Sequence, residues 1–377
     1  MYEDLPAIPI NPGGVVDPPS IVGRDRELAL VLEALSRGGG LVLTGERRHG
    51  KTSLSRLVEA EANGLGWTVV TRSVEGMRTV ESVSEALATD LVAALPQMDR
   101  IKTWLRSHAD FKLGAVSVDS VTPTLDEIVG DACEHSTRLL LVLDELPICA
   151  RALERAEAGA GLAFLHTLRR LREAHPRLTM LCLGSIGFHH VLPSLEGTLN
   201  NVDKHPLEPL APDSAHELAA RLLKSTQIPL ATRRDLAARM TLASEGVPYY
   251  LHHLADACQR RHAQGEDLDA AVVDAVVTAA VESADDPWDL KHYVTRLPDY
   301  YGDDAPAAGA ILDLVAAQPS SLASILAGLA TAAPAVAGAD LTAIAGRLEQ
   351  DHYIVKRDGT LHFRSDIVRR AWLRWRT

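Results

Sequence analysis

The sequence predicts an α/β chain: a parallel sheet with helices on both faces, followed by an all-helical block and a winged helix-turn-helix domain. Three observations predict it. Strand-like and helix-like segments alternate from Asp25 to Ser185, the pattern of a doubly wound sheet. One of those strands, Leu139–Leu143, is an uninterrupted apolar run of five, as expected of a strand buried on both faces. After Ser185 the strand signals fade, and helical spacing takes over until a hairpin near the C-terminus.

Residues 1–20 read as an extended arm, because Pro6, Pro9, Pro12, Pro18 and Pro19 cannot share one regular helix. Asp25 to Leu35 places Leu28, Leu30, Val31 and Leu35 at helical spacing. Leu41–Thr44 is a short buried strand ending in glycine, and Ser53–Ala62 resumes a helix. Trp67–Thr71 is the next strand, followed by a helix over about Val80–Leu95. Within residues 98–123, Phe111–Val118 suggests a hairpin or an inserted strand. A helix near Leu125–His135 leads into Leu139–Leu143, and a helix over Ala160–Ala174 leads into the strand Leu178–Leu183. Residues 21–205 thus form the predicted core. Pro212–Gln227, Thr232–Arg261 and Asp267–Val281 are helical and make a second region, 206–284. From the Asp285–Asp286–Pro287 break onward, residues 285–377 hold helices at about Ala307–Gln318, Leu322–Ala330 and Leu341–Gln350. Tyr353–Val355, a turn at Asp358–Gly359 and Leu361–Phe363 complete a hairpin with a favoured Asp-Gly turn. Helices followed by a hairpin is the order of a winged helix-turn-helix.

Composition narrows the classes of function. The chain has 377 residues, which at roughly 150 per domain suggests two or three domains. Its 46% of apolar residues suffices for a sizeable core, and only 4% are aromatic. The longest apolar stretches fall short of the ~20 residues that span a bilayer, so no membrane partner is expected. Met1–Ser20 lacks the layout of a secretory signal. Cys133, Cys149, Cys182 and Cys258 form no CxxC pair, so neither a metal site nor a disulfide framework is expected, and a cytoplasmic location fits. A formal charge of −12 argues against coating nucleic acid through bulk charge.

The strongest chemical signal is Gly45-Glu46-Arg47-Arg48-His49-Gly50-Lys51-Thr52, which fits G-x-x-x-x-G-K-[ST] between a strand and a helix. The glycines let the backbone curl so that successive N–H groups face phosphate oxygens, and the helix that begins at Lys51 and continues through Ser53 adds its positive end. Lys51 supplies a point charge to the outer phosphates, and the Thr52 hydroxyl is a ligand for Mg²⁺. The ligand expected of such a loop is ATP. The second signal is the strand end Leu143-Asp144-Glu145. Its carboxylates fall at the C-terminal edge of the sheet, where Asp144 would hold Mg²⁺ and Glu145 would act as general base toward water. An acid directly after the metal-holding acid predicts hydrolysis rather than binding alone. A third, weaker signal is Ser185, at the tip of the strand beside the Asp-Glu strand. It either reaches the terminal phosphate or the attacking water, or simply caps a turn.

With these elements in place, the chain resembles the AAA+/STAND-type P-loop ATPases, in the bacterial and archaeal branch close to origin-recognition ATPases. Asn11-Pro12, Val16-Asp17-Pro18 and Ile21 through Leu28 are similar to that branch's N-terminal box. The resemblance implies adenine contacts at Val22, Gly23 and Arg24. Gly184-Ser185-Ile186-Gly187 is similar to its sensor-1 strand, and Leu207–Ala211 with the following helix to the entry of its helical lid. Gly246-Val247-Pro248 resembles the lid's G-x-P element, which implies Pro248 near the nucleotide. Phe363 through Trp372 is similar to the end of the winged helix. The sensor-1 position lacks the Arg of many STAND proteins. Tyr249 and Tyr250 stand where a sensor-2 Arg is sought. Arg169 and Arg170 are either an arginine finger or a solvated helix face. Without a clear trans Arg, slow hydrolysis and a switch-like role fit better than a motor.

Two features bear on partners. The adjacent pairs His189-His190 and His252-His253 lack metal-ligand spacing. Residues 355–377 hold seven Lys and Arg against two Asp, with Trp372 and Trp375 among them. That tail either grips DNA phosphates or packs back onto its own domain. The recognition-helix position, Asp340–Asp351, carries one Arg and three acids, which is poor for a major groove. Two functions are therefore expected as alternatives: an ATP-driven switch acting on a protein partner or through self-association, or an ATP-licensed DNA-binding protein of initiator type.

Overall fold

Five parallel strands form the larger sheet, in the order β2-β3-β4-β1-β5. In the computed structural model of the chain, residues 4–112, 123–184, 202–332 and 339–376 are described. The elements of the first half are α1 (Asp25–Ser36), β1 (Gly40–Thr44), α2 (Lys51–Gly64), β2 (Thr68–Ser73), α3 (Val80–Ala94), α4 (Asp99–Lys112), α5 (Leu125–Glu134), β3 (Leu139–Asp144), α6 (Leu146–Ala156), α7 (Ala160–Ala174), β4 (Leu178–Gly184) and β5 (Val202–Pro206). Side chains alternate across the pleat, and the core divides accordingly. Leu139, Leu141 and Leu143 of β3 join Met180 and Cys182 of β4 in one apolar cluster with Leu87, Ile128 and Phe164. Leu140 and Val142 join Leu181 and Leu183 in the other cluster, with Val31, Leu54 and Val58. Both faces of the sheet are thus covered by helices, which is why β3 reads as a continuous apolar run.

The chain divides into two compact units. A sheet unit comprises Asp17–Arg47 and Lys51–Leu207, and a helical unit comprises Met1–Val16, Arg48–Gly50 and Glu208–Thr377. The helical unit contains α8 (Pro212–Lys224), α9 (Leu230–Ser244), α10 (Pro248–Ala263), α11 (Ala270–Glu282), α12 (His292–Thr295), α13 (Leu297–Tyr301), α14 (Ala305–Ala317), β6 (Ser320–Ser321), α15 (Leu322–Ala332), α16 (Leu341–Gln350), β7 (Ile354–Arg357), β8 (Thr360–Phe363) and α17 (Asp366–Arg376). Its N-terminal arm is docked rather than loose. Ile8 is buried and its N–H donates to Arg221 O, while Arg221 Nε and Lys224 Nζ donate to Pro6 O and Leu5 O. The Asn11 N–H donates to His252 Nδ1 at 3.1 Å.

Three local readings of the sequence change. The helical stretch 232–261 is two helices, α9 and α10, broken at Glu245–Gly246. Gly246 has φ 78°, and a Cβ there would stand 2.3 Å from Leu210 O, so the chain turns where only glycine fits. A fifth strand, β5, pairs with β1 along Gly40↔Val202 to Thr44↔Pro206. Its sequence, Val-Asp-Lys-His-Pro, lacks an apolar run and ends in Pro, which an edge strand such as β5 tolerates. Finally, α4 occupies the first part of residues 98–123 and includes Phe111, where the sequence places the start of a hairpin or an inserted strand; the rest of that segment, 113–118, lies outside the described residues.

The C-terminal elements surround α14. Strands β6, β8 and β7 form an antiparallel sheet in that order, with the Asp358-Gly359 turn closing Arg357↔Thr360 at φ 47° and 79°. Those two positive angles are what a tight hairpin turn requires. Trp372 of α17 is fully buried, and its Nε1 donates to Asp313 Oδ1 of α14 at 2.8 Å.

Candidate functional site

The glycine-bounded loop leaves the end of β1 and runs into α2. Its two bounding glycines have φ 148° at Gly45 and 90° at Gly50, a backbone that side-chain-bearing residues rarely adopt. At Gly45 a Cβ would also stand 2.8 Å from Leu207 O, so the loop starts pressed against the chain that leaves β5. At Gly50 a Cβ would meet nothing within 4 Å among the described residues, so there is open space at that Cβ position. The curl and that open space suit a phosphate-sized group.

Lys51 opens α2 with its side chain almost fully buried. Its Nζ donates to Gly45 O at 2.8 Å and Glu46 O at 3.0 Å, the carbonyls of its own loop. Burial pushes the Lys51 ammonium down to about 8, against the pull of Glu145, Asp144 and Glu46. Two of the three carboxylates that act on this charge, Asp144 and Glu145, are those that the sequence reading expects at a metal–phosphate site.

Thr52 and Asp144 also meet. Thr52 Oγ1 lies 3.5 Å from Asp144 Oδ2. Asp144 is the last residue of β3, and its Oδ1 accepts from the Glu145 N–H at 3.0 Å. Burial and the adjacent Glu145 charge raise the Asp144 carboxyl above its ordinary range, while Lys51 and Thr52 act in the opposite direction. A divalent cation would relieve that repulsion, so the donor set of one hydroxyl and one crowded carboxylate fits Mg²⁺. Glu145 sits at φ 57° and ψ 35°, left-handed for a residue with a long side chain, immediately before α6. Such a conformation persists only when the surroundings enforce it and is found most often at functional sites.

The structure thus brings together Gly45, Gly50, Lys51, Thr52, Asp144 and Glu145. Ser53 continues the first turn of α2. Val22 is buried, Gly23 has φ 67°, and Arg24 is buried and paired with Glu27 at 3.0 Å on the approach to α1. Pro248 belongs to the helical unit, in the first turn of α10. Gly184 ends β4 between β1 and β3, but Ser185, with the rest of the proposed sensor strand and His189-His190, lies outside the described residues. Arg169 pairs with Glu173 one turn along α7 at 2.9 Å, as on a solvated helix face. Sequence reasoning missed what becomes of Arg48. It carries φ 77°, its Nη2 donates to Asp289, and its guanidinium lies 4.4 Å from the Tyr249 ring centroid. No local pattern signals a partner 241 residues away in sequence.

A sheet ordered β2-β3-β4-β1-β5, a glycine-bounded loop after β1 and an acidic end on β3 together define a P-loop NTPase-like α/β fold. No family model matches the sequence, and no curated protein matches it either. In structure the chain is similar to the Walker-type ATPase of Pyrococcus abyssi, with a TM-score of 0.65 at 17% identity over 99% of this chain and 100% of that one. It is also similar to the ORC2 protein of Aeropyrum pernix, determined as ADPNP–ADP complexes, with a TM-score of 0.52 at 14% identity over 95% and 96%. At such identities the likeness is one of fold: the P-loop NTPase-like α/β arrangement.

Proposed function

We propose that this protein binds and slowly hydrolyses ATP and uses the nucleotide state as a conformational switch for a protein partner. The observation that carries the reading is the grouping of Lys51, Thr52, Asp144 and Glu145 at the ends of β1 and β3, beside a loop whose glycines curl it open. The ADPNP–ADP complexes of the Aeropyrum pernix protein, which shares the fold, support it.

In this reading the loop N–H groups between Gly45 and Thr52 hold the inner phosphates, and Lys51 exchanges its two carbonyl acceptors for phosphate oxygens. Thr52 and Asp144 would hold Mg²⁺, which when bound neutralises phosphate charge. Glu145 takes a proton from water onto its carboxylate as the water oxygen bonds to the terminal phosphorus. The bond from that phosphorus to the bridging oxygen breaks, ADP keeps the electron pair, and the proton later leaves with phosphate or solvent. Val22, Gly23, Arg24 and Pro248 are the proposed base-side contacts. We assign 206–284 as a lid and 285–377 as a winged helix. The order α14, α15, α16 and then β7–β8 supports the latter.

The test is ATP turnover of the purified chain, alone and with double-stranded DNA, beside Lys51→Ala and Glu145→Gln. Slow turnover is expected, lost in Lys51→Ala and reduced roughly 10²-fold or more in Glu145→Gln, which keeps ATP bound. Unchanged turnover in Glu145→Gln removes the assigned base. Stimulation by DNA would favour the initiator-like alternative over the protein-partnered switch.

A further inference from the structure

The N-terminal arm repeats a three-residue pattern. Residues 5–13 read Leu-Pro-Ala, Ile-Pro-Ile and Asn-Pro-Gly, with proline in the middle of each triplet. Proline fixes its own φ and drives the residue before it toward extended backbone. Leu5, Ile8 and Asn11 each precede a proline. The sequence therefore favours a polyproline II ribbon, in which every third residue lies on one side.

The helical unit receives that side. Among residues 4–16 only Ile8 is buried, whereas Pro6 and Pro9 are exposed. The arm meets α8 and α10, two adjacent helices of its own compact unit, and its main chain makes the polar contacts. The Ile8 N–H donates to Arg221 O at 3.1 Å, and the Asn11 N–H donates to His252 Nδ1 at 3.1 Å. Pro6 O accepts from Arg221 Nε at 3.0 Å, and Leu5 O accepts from Lys224 Nζ at 2.8 Å. These partners need what the arm supplies. Arg221 O is one of the last carbonyls of α8, which lack donors inside the helix. The Ser225 and Thr226 N–H groups serve Leu222 O and Leu223 O, and the arm serves Arg221 O. The Arg221 side chain is held by Glu217 at 3.0 Å, which leaves Nε aimed at the arm. Arg221 and His252 are both buried, and buried polar groups are hydrogen-bonded in native proteins. A peptide main chain meets these needs together, because it alternates donors with acceptors.

We infer that the face formed by α8 and α10 is a peptide-binding site and that the arm is its ligand in cis, docked reversibly. The site takes an extended strand with proline at every third position, reads its main chain, and holds one branched aliphatic side chain as anchor. Preformed proline-rich strands suit such recognition, since little conformational freedom is lost on docking. A single buried side chain is a slight hold, and Gly13, at φ 76°, turns the chain just beyond Asn11. That is the layout of a bound peptide rather than of a core element. The inference is independent of whether the chain binds nucleotide.

Fluorescence polarisation of a labelled peptide spanning residues 4–14, titrated with the full chain, tests it. In the wild-type chain the cis arm competes, and the peptide binds weakly. Ile8→Asp in the chain removes the anchor from the cis arm, and peptide affinity is expected to rise roughly tenfold or more. Pro9→Gly changes an exposed residue and leaves the packing alone. It loosens the free arm, so peptide affinity is expected to rise a few-fold. A peptide that itself carries Ile8→Asp is expected to bind either variant chain roughly tenfold more weakly than the natural peptide does. No gain over wild type in Pro9→Gly overturns the reversible docking, even where Ile8→Asp fails to fold. Equal binding of the two peptides overturns the site.

Discussion

At the scale of single residues, Lys51 shows how the fold holds a buried charge. Its ammonium is buried on two carbonyls of its own loop, and burial lowers it to about 8 from an ordinary value of 10.5. The charged form is therefore less stable in the folded chain than in the unfolded one. Between about pH 8 and 10.5 the unfolded chain binds the extra proton, so this group makes stability rise with pH over that window. Lys51→Met removes the titration. The variant's stability relative to wild type is expected to fall by on the order of 2–3 kcal/mol as pH is raised from 8 to 10.5 without nucleotide. Denaturant unfolding at three pH values reads this directly; a parallel pH dependence in both proteins would mean that the ammonium is not buried. The backbones at Arg48 and Glu145 are likewise made by the fold, because neither left-handed conformation follows from local preference.

At the scale of elements, α10 joins three parts of the helical unit. It begins at Pro248 after the glycine turn, carries Tyr249 and His253 toward Arg48, and uses His252 to receive the Asn11 N–H of the arm. Burial lowers both His252 and His253 to about 4 from 6.5. Their neutral forms therefore stabilise the fold fully above pH 6.5, and that stability is lost as pH falls from 6.5 toward 4. Protonating His252 also turns the acceptor for Asn11 into a donor facing a donor. Acid titration of thermal midpoints is expected to show this loss, and His252→Gln, which keeps an acceptor without the proton, is expected to flatten part of it. An unaltered acid limb in that variant would place the sensitivity elsewhere. The sequence displayed the elements whose chemistry is local: the apolar run of β3, the glycines around the loop, the Asp-Gly turn, Lys51 beside Gly50. It hid β5, whose Val-Asp-Lys-His-Pro has one β-branched apolar residue and a proline, whereas β2, the other edge strand, showed through Val69 and Val70. It also hid the break before α10, where a distant carbonyl of Leu210 sets the need for Gly246. The pairing of Arg48 with Asp289 was hidden for the same reason, being made by the fold and not by spacing.

At the scale of the whole molecule, the question is where the basic tail of an acidic chain directs its charge. The side chains are largely engaged within the helical unit. Arg364 pairs with Glu208 and meets His352, Arg369 binds Asp366 and Ala316 O, Arg370 donates to Thr278 Oγ1, and Arg376 pairs with Asp313. Trp372 lies fully buried among them, edge-on to Tyr353 at 6.3 Å between centroids. Glu245, just before the glycine turn, accepts from the Asp366 N–H at the start of α17, which ties that helix to α9. Such a tail behaves as packing. Trp372→Ala is accordingly expected to destabilise the chain by about 3–5 kcal/mol. Arg369→Ala with Arg370→Ala is expected to remove roughly 1–2 kcal/mol through their intramolecular hydrogen bonds. A DNA-gripping tail predicts the reverse: the double variant would keep its melting temperature and lose a salt-dependent gel shift, with a shallower dependence on salt. Because the two accounts differ in which measurement moves, a thermal melt and a low-salt shift assay on the same double variant separate them. The hydrogen bonds to Ala316 O and Thr278 Oγ1 lead us to expect that the melt is the one to change.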